Sequence, residues 1–222
     1  MPTIKFTDIT GLVPEPFYPQ PAKFHVPEWL QKLPPYHNDG GNPQTAKRCM
    51  PMLDAVMSGY TIVLTEDLEV TERDEKPYYK WAEGLGIEWH GVAQASTHPK
   101  VTNAPIAKWL NPWSIETPHG YSCLFVSPLN SEGLPVKPFA GIVDTDSYIS
   151  PVNFPFLLSP LNYQGTIEAG TPIVQVIPFQ REEWVSEFHS GTTDSIRRAE
   201  RFILSKFKGV YRNFMRKPRS FR

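Results

Sequence analysis

Proline is spread along most of this chain, and its distribution constrains the fold more than any other sequence feature. The 222 residues include 24 prolines, which do not collect in one tract. Each proline fixes φ and removes a backbone donor, so helices and central strands must fit between successive prolines. Short strands joined by turns satisfy that condition, whereas a bundle of long helices does not. The sequence therefore predicts one all-β domain, since all-β domains often reach this length without dividing.

The strand pattern lies in the middle of the chain, which we assign as a β domain over residues 49–185. Apolar and β-branched runs recur there at steps of roughly 8 to 12 residues or somewhat more, between Gly, Pro and Asn, which is typical of a sandwich or barrel. The candidate strands are residues 60–64, 68–72, 109–115, 121–126, 141–144, 152–158 and 173–179, with a glycine-interrupted continuation over 79–92.

Residues 1–48 are rich in proline and show little periodicity of either kind. We expect an extended N-terminal arm that lies on the domain or on a neighbouring molecule. One short helix is predicted at residues 27–33, where proline takes the first helical position and Trp29, Leu30 and Leu33 share a face.

The C-terminal segment, residues 190–222, changes to a helical period. A polar residue at 192–194 can cap a helix whose apolar residues recur at three- and four-residue steps from Ile196 to Phe214. The candidate partner-binding residues are the cations around this stripe and in the tail: Arg197, Arg198, Arg201, Lys206, Lys208, Arg212, Arg216, Lys217, Arg219 and Arg222. Three interpretations stay open for them: a solvated helix face, an acidic protein partner, or the backbone of a nucleic acid.

Charge and cysteine usage exclude several function classes. The net charge of −1 gives no global attraction to nucleic acid or membrane, so such a partner needs a local patch. Cys49 and Cys123 are too few for a disulfide framework and lack zinc-site spacing. No stretch approaches the roughly 20 apolar residues that span a bilayer, and the N-terminus lacks a signal-peptide pattern. We expect a protein of the reducing cytoplasm, or of a virion if the chain is viral, without a membrane partner.

Four motifs follow one another between residues 58 and 176. They are Ser-Gly-Tyr-Thr-Ile at 58–62, Pro-His-Gly-Tyr at 118–121, Gly-Ile-Val-Asp-Thr-Asp-Ser-Tyr at 141–148 and Gly-Thr-Pro-Ile-Val-Gln-Val at 170–176. In order and spacing they resemble the strand motifs of the dUTPase and dCTP-deaminase superfamily. The resemblance implies a dUTPase-like sandwich or barrel of the β-clip type, extended by the N-terminal arm and one C-terminal helix. It also implies a homo-oligomer, with a trimer favoured.

A second resemblance rests on Lys-Arg-Cys at 47–49, Pro-His-Gly-Tyr-Ser-Cys-Leu at 118–124 and Gly-Ile-Val-Asp-Thr-Asp at 141–146, which resemble the signatures of a domain family found in bacteria and their viruses. This second likeness supplies context for the chain and assigns no activity to it.

Departures of this chain from the superfamily pattern argue against a dUTPase-like catalytic activity in it. Thr61, a neutral hydroxyl, stands where the enzymes have an aspartate that helps hold a metal triphosphate. The phosphate-binding Arg-Ser pair should follow the strand that begins at Tyr121, yet residues 127–130 contain no cation. The resemblance does carry over Asp144, as the aspartate that orients the attacking water, and Tyr148, as the tyrosine beneath the deoxyribose.

Two further interpretations come from the residues alone. Asp144 and Asp146 can act as paired carboxylates, or they can serve as ordinary turn residues. Cys123 can form a nucleophile couple with His119, although a cysteine within an apolar strand is more often buried and inert.

The sequence as a whole favours a non-catalytic structural or assembly protein, for example a phage virion component, that uses its termini for protein contacts. That function requires no cofactor. The alternative is a nucleotide hydrolase or deaminase with an altered pocket built from Asp144, Asp146, Tyr148 and Gln175. Magnesium is expected only under that alternative.

Overall fold

The computed structural model describes residues 1–37, 44–74, 76–81, 86–95, 97–98, 106–206 and 209–221. Its strands are β1 (Lys5–Asp8), β2 (Gln20–Pro21), β3 (Tyr60–Val63), β4 (Leu68–Arg73), β5 (Lys76–Trp81), β6 (Ile87–Trp89), β7 (Ala107–Trp109), β8 (Trp113–Glu116), β9 (Tyr121–Val126), β10 (Val136–Pro138), β11 (Gly141–Val143), β12 (Phe154–Leu158), β13 (Gly165–Ile167) and β14 (Pro172–Gln180). Its helices are α1 (Glu28–Lys32), α2 (Met50–Met57) and α3 (Asp194–Ser205). Single 3-10 turns lie at Glu15–Phe17, Ala22–His25, Ala46–Arg48 and Val92–Ala95, and a π-helical turn at Tyr211–Met215.

The strands pair antiparallel in several sheets. The largest has the order β11-β9-β14-β3-β2, a second has β10-β12-β7-β6, a third has β13-β4-β5, and β1 pairs with β8. β14 lies at the centre of the largest sheet, where it pairs with β3 on one side and β9 on the other. The all-β class predicted from the prolines is confirmed.

One hydrophobic core joins the sheets. In β12 the side chains alternate, so that Phe154, Phe156 and Leu158 are buried and the residues between them are partly exposed. The ring of Phe154 lies 5.5 Å from that of Phe125 in β9 and 5.9 Å from that of Trp109 in β7. Aromatic side chains bury large apolar areas, so this contact fixes the two largest sheets against each other.

Residues 1–48, which the sequence predicts to be an extended arm, contribute strands to the body. β1 pairs with β8, and β2 extends the largest sheet by pairing with β3. The short helix predicted at residues 27–33 is present as α1. The sequence did not predict α2, which directly follows Cys49 and has proline in its first turn. The N-terminal segment therefore lies on its own domain.

Two predicted elements are wrong in extent. The strand expected over residues 109–115 is divided into β7 and β8, because Pro112 lacks a donor and the Asn111 side chain bonds instead to Trp113 O at 2.9 Å. The C-terminal helix, expected to reach Phe214, ends at Ser205. Before the π-helical turn the backbone passes through Gly209 at φ +69°, a left-handed conformation that a continuous α-helix does not contain.

Candidate functional site

The candidate site forms where the end of β14 meets the start of β9. The two strands are antiparallel, with Gln180 opposite Tyr121. The backbone N–H of Arg181 extends this ladder by donating to the carbonyl oxygen of Gly120 at 2.8 Å. β11 pairs with the other edge of β9. The side chain of Arg181 therefore meets the turn that follows β11, which carries Asp144 and Asp146.

Arg181 binds both aspartates of that turn. Its Nη1 donates to Asp146 Oδ1 at 3.0 Å and lies 3.4 Å from Asp144 Oδ1, while its Nη2 donates to Asp146 Oδ2. Nη1 also donates to Ser122 Oγ and Tyr121 O, each at 2.9 Å. Ser122 Oγ in turn donates to Asp144 Oδ1 at 2.6 Å. The guanidinium thus holds the two carboxylates against the start of β9.

Asp146 is the more enclosed of the two carboxylates. Its side chain is 4% exposed, against 61% for Asp144. The backbone N–H of Gly120 donates to Asp146 Oδ2 at 2.8 Å, and His119 Nδ1 lies 3.6 Å from the same oxygen. Hydrogen bonds from Arg181 first, and then from Gly120, lower the pKa of Asp146 to about 2. Asp146 is therefore an anion at neutral pH, and its charge is matched by Arg181.

An open cleft of about 610 Å³ lies beside the turn after β11. Asp144 and Tyr148 line it together with Ile142 and Lys108. Tyr148 is half exposed, and its backbone N–H donates to Asp144 O at 2.8 Å. The structure therefore brings two of the four predicted pocket residues to one cleft. Asp146 instead faces Arg181 and is not among the described residues that line the cleft.

Gln175, the fourth predicted pocket residue, lies at the opposite end of the β9–β14 ladder from Arg181 and is buried. Its Oε1 accepts from the Leu129 N–H at 2.9 Å. Its Nε2 donates to Ala55 O at 2.9 Å and to Ser58 O at 2.7 Å. The amide ties β14 to the loop after β9 and to the end of α2. The structure does not place Gln175 in the cleft, and its contacts favour a structural role.

The cysteine and histidine considered as a nucleophile couple are not brought together. Cys123 is fully buried in β9, where burial raises the pKa of its thiol and Thr145 Oγ1 donates to its sulfur at 3.3 Å. The His119 side chain is fully exposed. A buried thiol with a raised pKa is a poor nucleophile, so Cys123 acts as a core residue.

The residues at this site do not fit a magnesium ion. Mg²⁺ requires several oxygen ligands in near-octahedral geometry. Asp144 and Asp146 could supply carboxylate oxygens, but the Arg181 guanidinium already lies within hydrogen-bonding distance of both. Thr61 is buried and lies opposite Gln175 in β14, away from the aspartates. Across the described ranges no three His, Cys, Asp or Glu side chains lie together as metal ligands would.

A long exposed segment follows Arg181. We call residues 182–206 the C-terminal arm, and every residue in it is exposed. Its first part carries large apolar side chains that are almost bare: Trp184 is 86% exposed, Val185 91% and Phe188 93%. Such side chains are normally covered in a folded protein, so this first part of the arm presents an apolar surface that the described residues of the same molecule leave exposed.

Helix α3 forms the second part of the C-terminal arm. Thr193 caps it, since its Oγ1 accepts from the Ile196 N–H at 3.3 Å. The helix is amphipathic, and its apolar residues Ile196, Ile203 and Leu204 are 47%, 45% and 84% exposed. The predicted apolar stripe is present on the helix only in its first part, Ile196 to Ile203, which stays exposed. Phe207 lies outside the described residues, and Val210 and Phe214 follow the end of the helix.

The predicted partner-binding cations divide into three groups. Seven of them are exposed: Arg197, Arg198, Arg201, Lys206, Arg212, Lys217 and Arg219. Lys208 and Arg222 lie outside the described residues. Arg216 is partly buried and binds Asp54 of the same chain, so the expectation that all these cations face outward is wrong for Arg216. Arg219 also contacts Asp54, through Nε, but stays exposed.

After the C-terminal arm, the tail contacts the β domain again at Asp54. Asp54 lies on α2 with its side chain 6% exposed. Arg216 donates to it from Nε at 3.0 Å and Nη2 at 2.7 Å, and Arg219 Nε lies 3.1 Å from its Oδ2. The hydrogen bonds from Arg216 and the charges of both arginines lower the pKa of Asp54. The C-terminal arm is thus held at both ends, by Arg181 before it and by Arg216 after it.

Sequence reasoning missed two functional contributors, Arg181 and Asp54. Only Asp54 left a signal in the sequence. Arg181 directly follows β14, but its neighbours depend on the pairing of β14 with β9, which no local pattern gives. Asp54 is a lone acid within an apolar stretch, and a buried acid requires a cationic partner.

Comparison with solved structures finds dUTPases of staphylococcal phages. A mutant dUTPase of Staphylococcus bacteriophage 80alpha, solved with dUpNHpp, is 14% identical, and the match covers 86% of this chain and 92% of that one with a TM-score of 0.35. A mutant dUTPase from phage phi11 of S. aureus is also 14% identical, with 85% and 99% covered and a TM-score of 0.35. They belong to the superfamily that the sequence motifs resemble. At this TM-score the likeness carries no argument about activity.

No protein-family model matches the sequence, and comparison with curated proteins likewise finds no match. Among the described residues, no helix has both the length and the apolar character needed to cross a bilayer.

Proposed function

We propose that this chain is a non-catalytic assembly protein that associates with further copies of itself through its C-terminal arm. The observation that carries the proposal is the exposure of the arm, above all of Trp184, Val185 and Phe188. Covering apolar surface is worth roughly 25 cal/mol per Å², so three large bare side chains next to one another favour association. Contiguous exposed apolar surface of this kind marks interaction sites.

The anchoring of the arm supports the same function. Arg181 is bound at Asp146 and Arg216 at Asp54, so the arm is a loop with two fixed ends. A segment held in this way loses less conformational freedom on binding than a free tail does. Its bare apolar residues are therefore presented to a partner at a reduced entropic cost.

The chemistry at the aspartate turn supports a non-catalytic function. Asp144, which the resemblance assigns to orienting water, accepts from Ser122 at 2.6 Å and lies close to the Arg181 guanidinium. Oδ1 of Asp144 is therefore engaged by groups of the chain itself. The Asp144 cluster therefore supports the fold of the turn and the root of the C-terminal arm.

The mass of the particle in solution tests the proposal. We expect light scattering to give a multiple of the 25.3 kDa chain mass, with the trimer favoured. Trp184→Ser combined with Phe188→Ser should reduce the mass to that of one chain. Leu12→Ser is the matched control, because Leu12 is a 79% exposed apolar residue outside the arm. A wild-type protein that stays monomeric at every concentration would refute the proposal. A phage particle is one assembly that such a subunit would suit.

A nucleotide hydrolase or deaminase is the second candidate, because the 610 Å³ cleft gathers Asp144 and Tyr148. Thermal shift with a panel of deoxynucleotides, with and without Mg²⁺, separates the two functions. A ligand at 100 times its Kd stabilises its protein by about 2.7 kcal/mol, so binding would be visible. A selective shift that is lost in Asp144→Asn would favour the enzyme. The assembly proposal expects no shift.

Nucleic acid is the remaining partner class for the exposed cations of the arm and tail. Such binding would weaken steeply with added salt, because each neutralised phosphate releases counterions. Titration of the protein with duplex and single-stranded DNA at two salt concentrations checks this. We expect no salt-sensitive complex.

A further inference from the structure

A groove of about 710 Å³ lies between the N-terminal segment, α2 and the C-terminal tail. The residues that line it include the apolar Val26, Leu30 of α1 and Met50 of α2. Three cations line its walls: Lys23, Lys47 and Arg212. Binding sites for ligands and peptide segments commonly combine an apolar floor with a few charged groups at the rim, and this volume falls within their usual range.

The positive charges of Lys23, Lys47 and Arg212 are not balanced by acidic residues of the described groove lining. The residues that line the groove include no carboxylate, among those that the structure describes. Lys47 Nζ donates to the neutral carbonyl of Gln31 at 2.6 Å, and Lys23 Nζ lies 4.9 Å from the ring centre of Phe24. Neither contact neutralises a charge. A segment that carries acidic residues next to large apolar ones would complement both the cations and the apolar residues of the groove.

Such a segment lies at the start of the C-terminal arm. Residues 182–188 read Glu-Glu-Trp-Val-Ser-Glu-Phe, which combines three acids with three large apolar residues. The segment has no secondary structure and all of it is exposed. Alternate side chains of an extended backbone share a face, so if the segment docked in an extended conformation Trp184 and Phe188 would lie on one face, and Glu183 and Glu187 on the other with Val185. One face can therefore enter an apolar groove while acids meet cations at its rim.

The segment does not fill the groove of its own chain. Trp184 and Phe188 stay 86% and 93% exposed, while the Arg181 guanidinium that precedes them is bound to Asp146. We propose that residues 182–188 of one copy dock in the groove of a second copy, with their acids paired to Lys23, Lys47 and Arg212. This inference rests on the proposed function and specifies its interface. The contact joins two different surfaces, so it builds a closed ring when the rotation between copies closes.

A charge-swap experiment tests the pairing. One variant reverses the groove (Lys23→Glu with Lys47→Glu), and the other reverses the segment (Glu183→Lys with Glu187→Lys). Each variant alone should fall to the 25.3 kDa mass of one chain in light scattering. An equimolar mixture should give a mass of at least two chains, in even multiples, because each variant pairs only with the other: the native segment meets the native groove and the reversed segment meets the reversed groove. Glu132→Lys with Lys137→Glu, both exposed and outside the groove and the segment, is the control and should leave the mass unchanged. Circular dichroism checks that each variant is folded.

The outcomes separate this inference from the function on which it rests. If wild type and both single variants are all oligomeric, the chain assembles through another surface, so the inference is wrong and the proposed function stands. If both variants are monomeric and folded but their mixture is too, the charges do not pair and the inference is also wrong. If wild type is monomeric at every concentration, the inference and the proposed function both fail.

Discussion

Arg216 binds both carboxylate oxygens of Asp54, a residue 162 positions earlier in the chain. Its Nε lies 3.0 Å from Oδ2 and its Nη2 lies 2.7 Å from Oδ1. This fork-shaped pairing fixes the orientation of the guanidinium as well as its distance, which a lysine could not do. The Asp54 side chain is almost fully enclosed on α2, so it depends on this partner. The contact therefore determines where the C-terminal tail lies.

Removing the charge of Asp54 should release the tail. In Asp54→Asn the amide cannot accept from both arginine nitrogens, so we expect residues 209–221 to exchange their amide hydrogens several-fold faster while the β strands are unaffected. Hydrogen exchange with mass spectrometry measures this, and Arg216→Gln should reproduce it from the other partner. Glu116→Gln removes an exposed pair with Lys5 and is the control. Unchanged exchange at 209–221 in both variants would show that apolar contacts hold the tail.

The Arg181–Asp146 pair should make stability depend on pH in the acid range. The folded-state pKa of Asp146 is about 2, below the ordinary value of about 3.9 for an unfolded aspartate. The pair therefore stabilises the folded state above about pH 4, and this stabilisation is lost as the pH falls through that range toward 2.

We expect Asp146→Asn to be less stable than wild type at pH 7, and the difference to shrink steadily between pH 4 and pH 2. Urea unfolding at a series of pH values measures it. Arg181→Gln should show the same loss at pH 7, because it removes the partner that lowers the pKa. A difference between wild type and Asp146→Asn that stays constant from pH 7 to pH 2.5 would contradict the lowered pKa.

The strands were predictable because their signals are local. Runs such as residues 68–72 alternate apolar and polar side chains, and β4 forms there with Leu68 and Val70 buried. α2 was not predictable in the same way, because eight residues with proline near the start give too short a window for helical periodicity. The length of the C-terminal helix was misjudged because the apolar stripe continues past Gly209, although the helix does not.

The candidate site was half predictable for a different reason. Asp144 and Tyr148 belong to one motif, so a single resemblance indicated both, and the cleft contains both. Arg181 comes from another strand, and its place depends on the register of β14 against β9, which no local pattern gives. Gln175 was chosen from a motif, but the backbone carbonyls that its Nε2 bonds, those of Ala55, Val56 and Ser58, lie at the end of α2, which the sequence did not reveal.

Gln175 should therefore matter for stability. In Gln175→Ala the Leu129 N–H and the carbonyls of Ala55 and Ser58 lose their buried partner, which costs roughly 1–3 kcal/mol in the free energy of unfolding. Denaturant unfolding measures the loss. Gln164→Ala is the control, because Gln164 makes an exposed 3.4 Å hydrogen bond to Glu72, and it should change stability by less than about 0.5 kcal/mol. Equal effects of the two substitutions would contradict the bridging role of Gln175.

Gly59, in the Ser-Gly-Tyr-Thr-Ile motif at 58–62, should tolerate no side chain, because its backbone lies directly against β14. It has φ +70°, and a Cβ at this position would lie 2.0 Å from Val176 O and 3.0 Å from the Cα of Ile177. Both of these are backbone atoms of β14, the central strand of the largest sheet, so they cannot move away as a flexible side chain could. We expect Gly59→Ala to lower the free energy of unfolding by more than the roughly 1–3 kcal/mol that a left-handed conformation alone costs a residue with a side chain.

Gly11→Ala isolates the conformational part of that cost. Gly11 has nearly the same φ, +68°, but nothing lies within 4 Å of the position of its added Cβ. Denaturant unfolding of the two variants under identical conditions gives the steric part as the difference between them. We expect Gly59→Ala to be the less stable by at least about 1 kcal/mol, the cost at which overpacking of a well-packed interior begins. If the two variants lost equal stability, β3 and β14 would be free to separate at Gly59, and the close approach of these strands would be wrong.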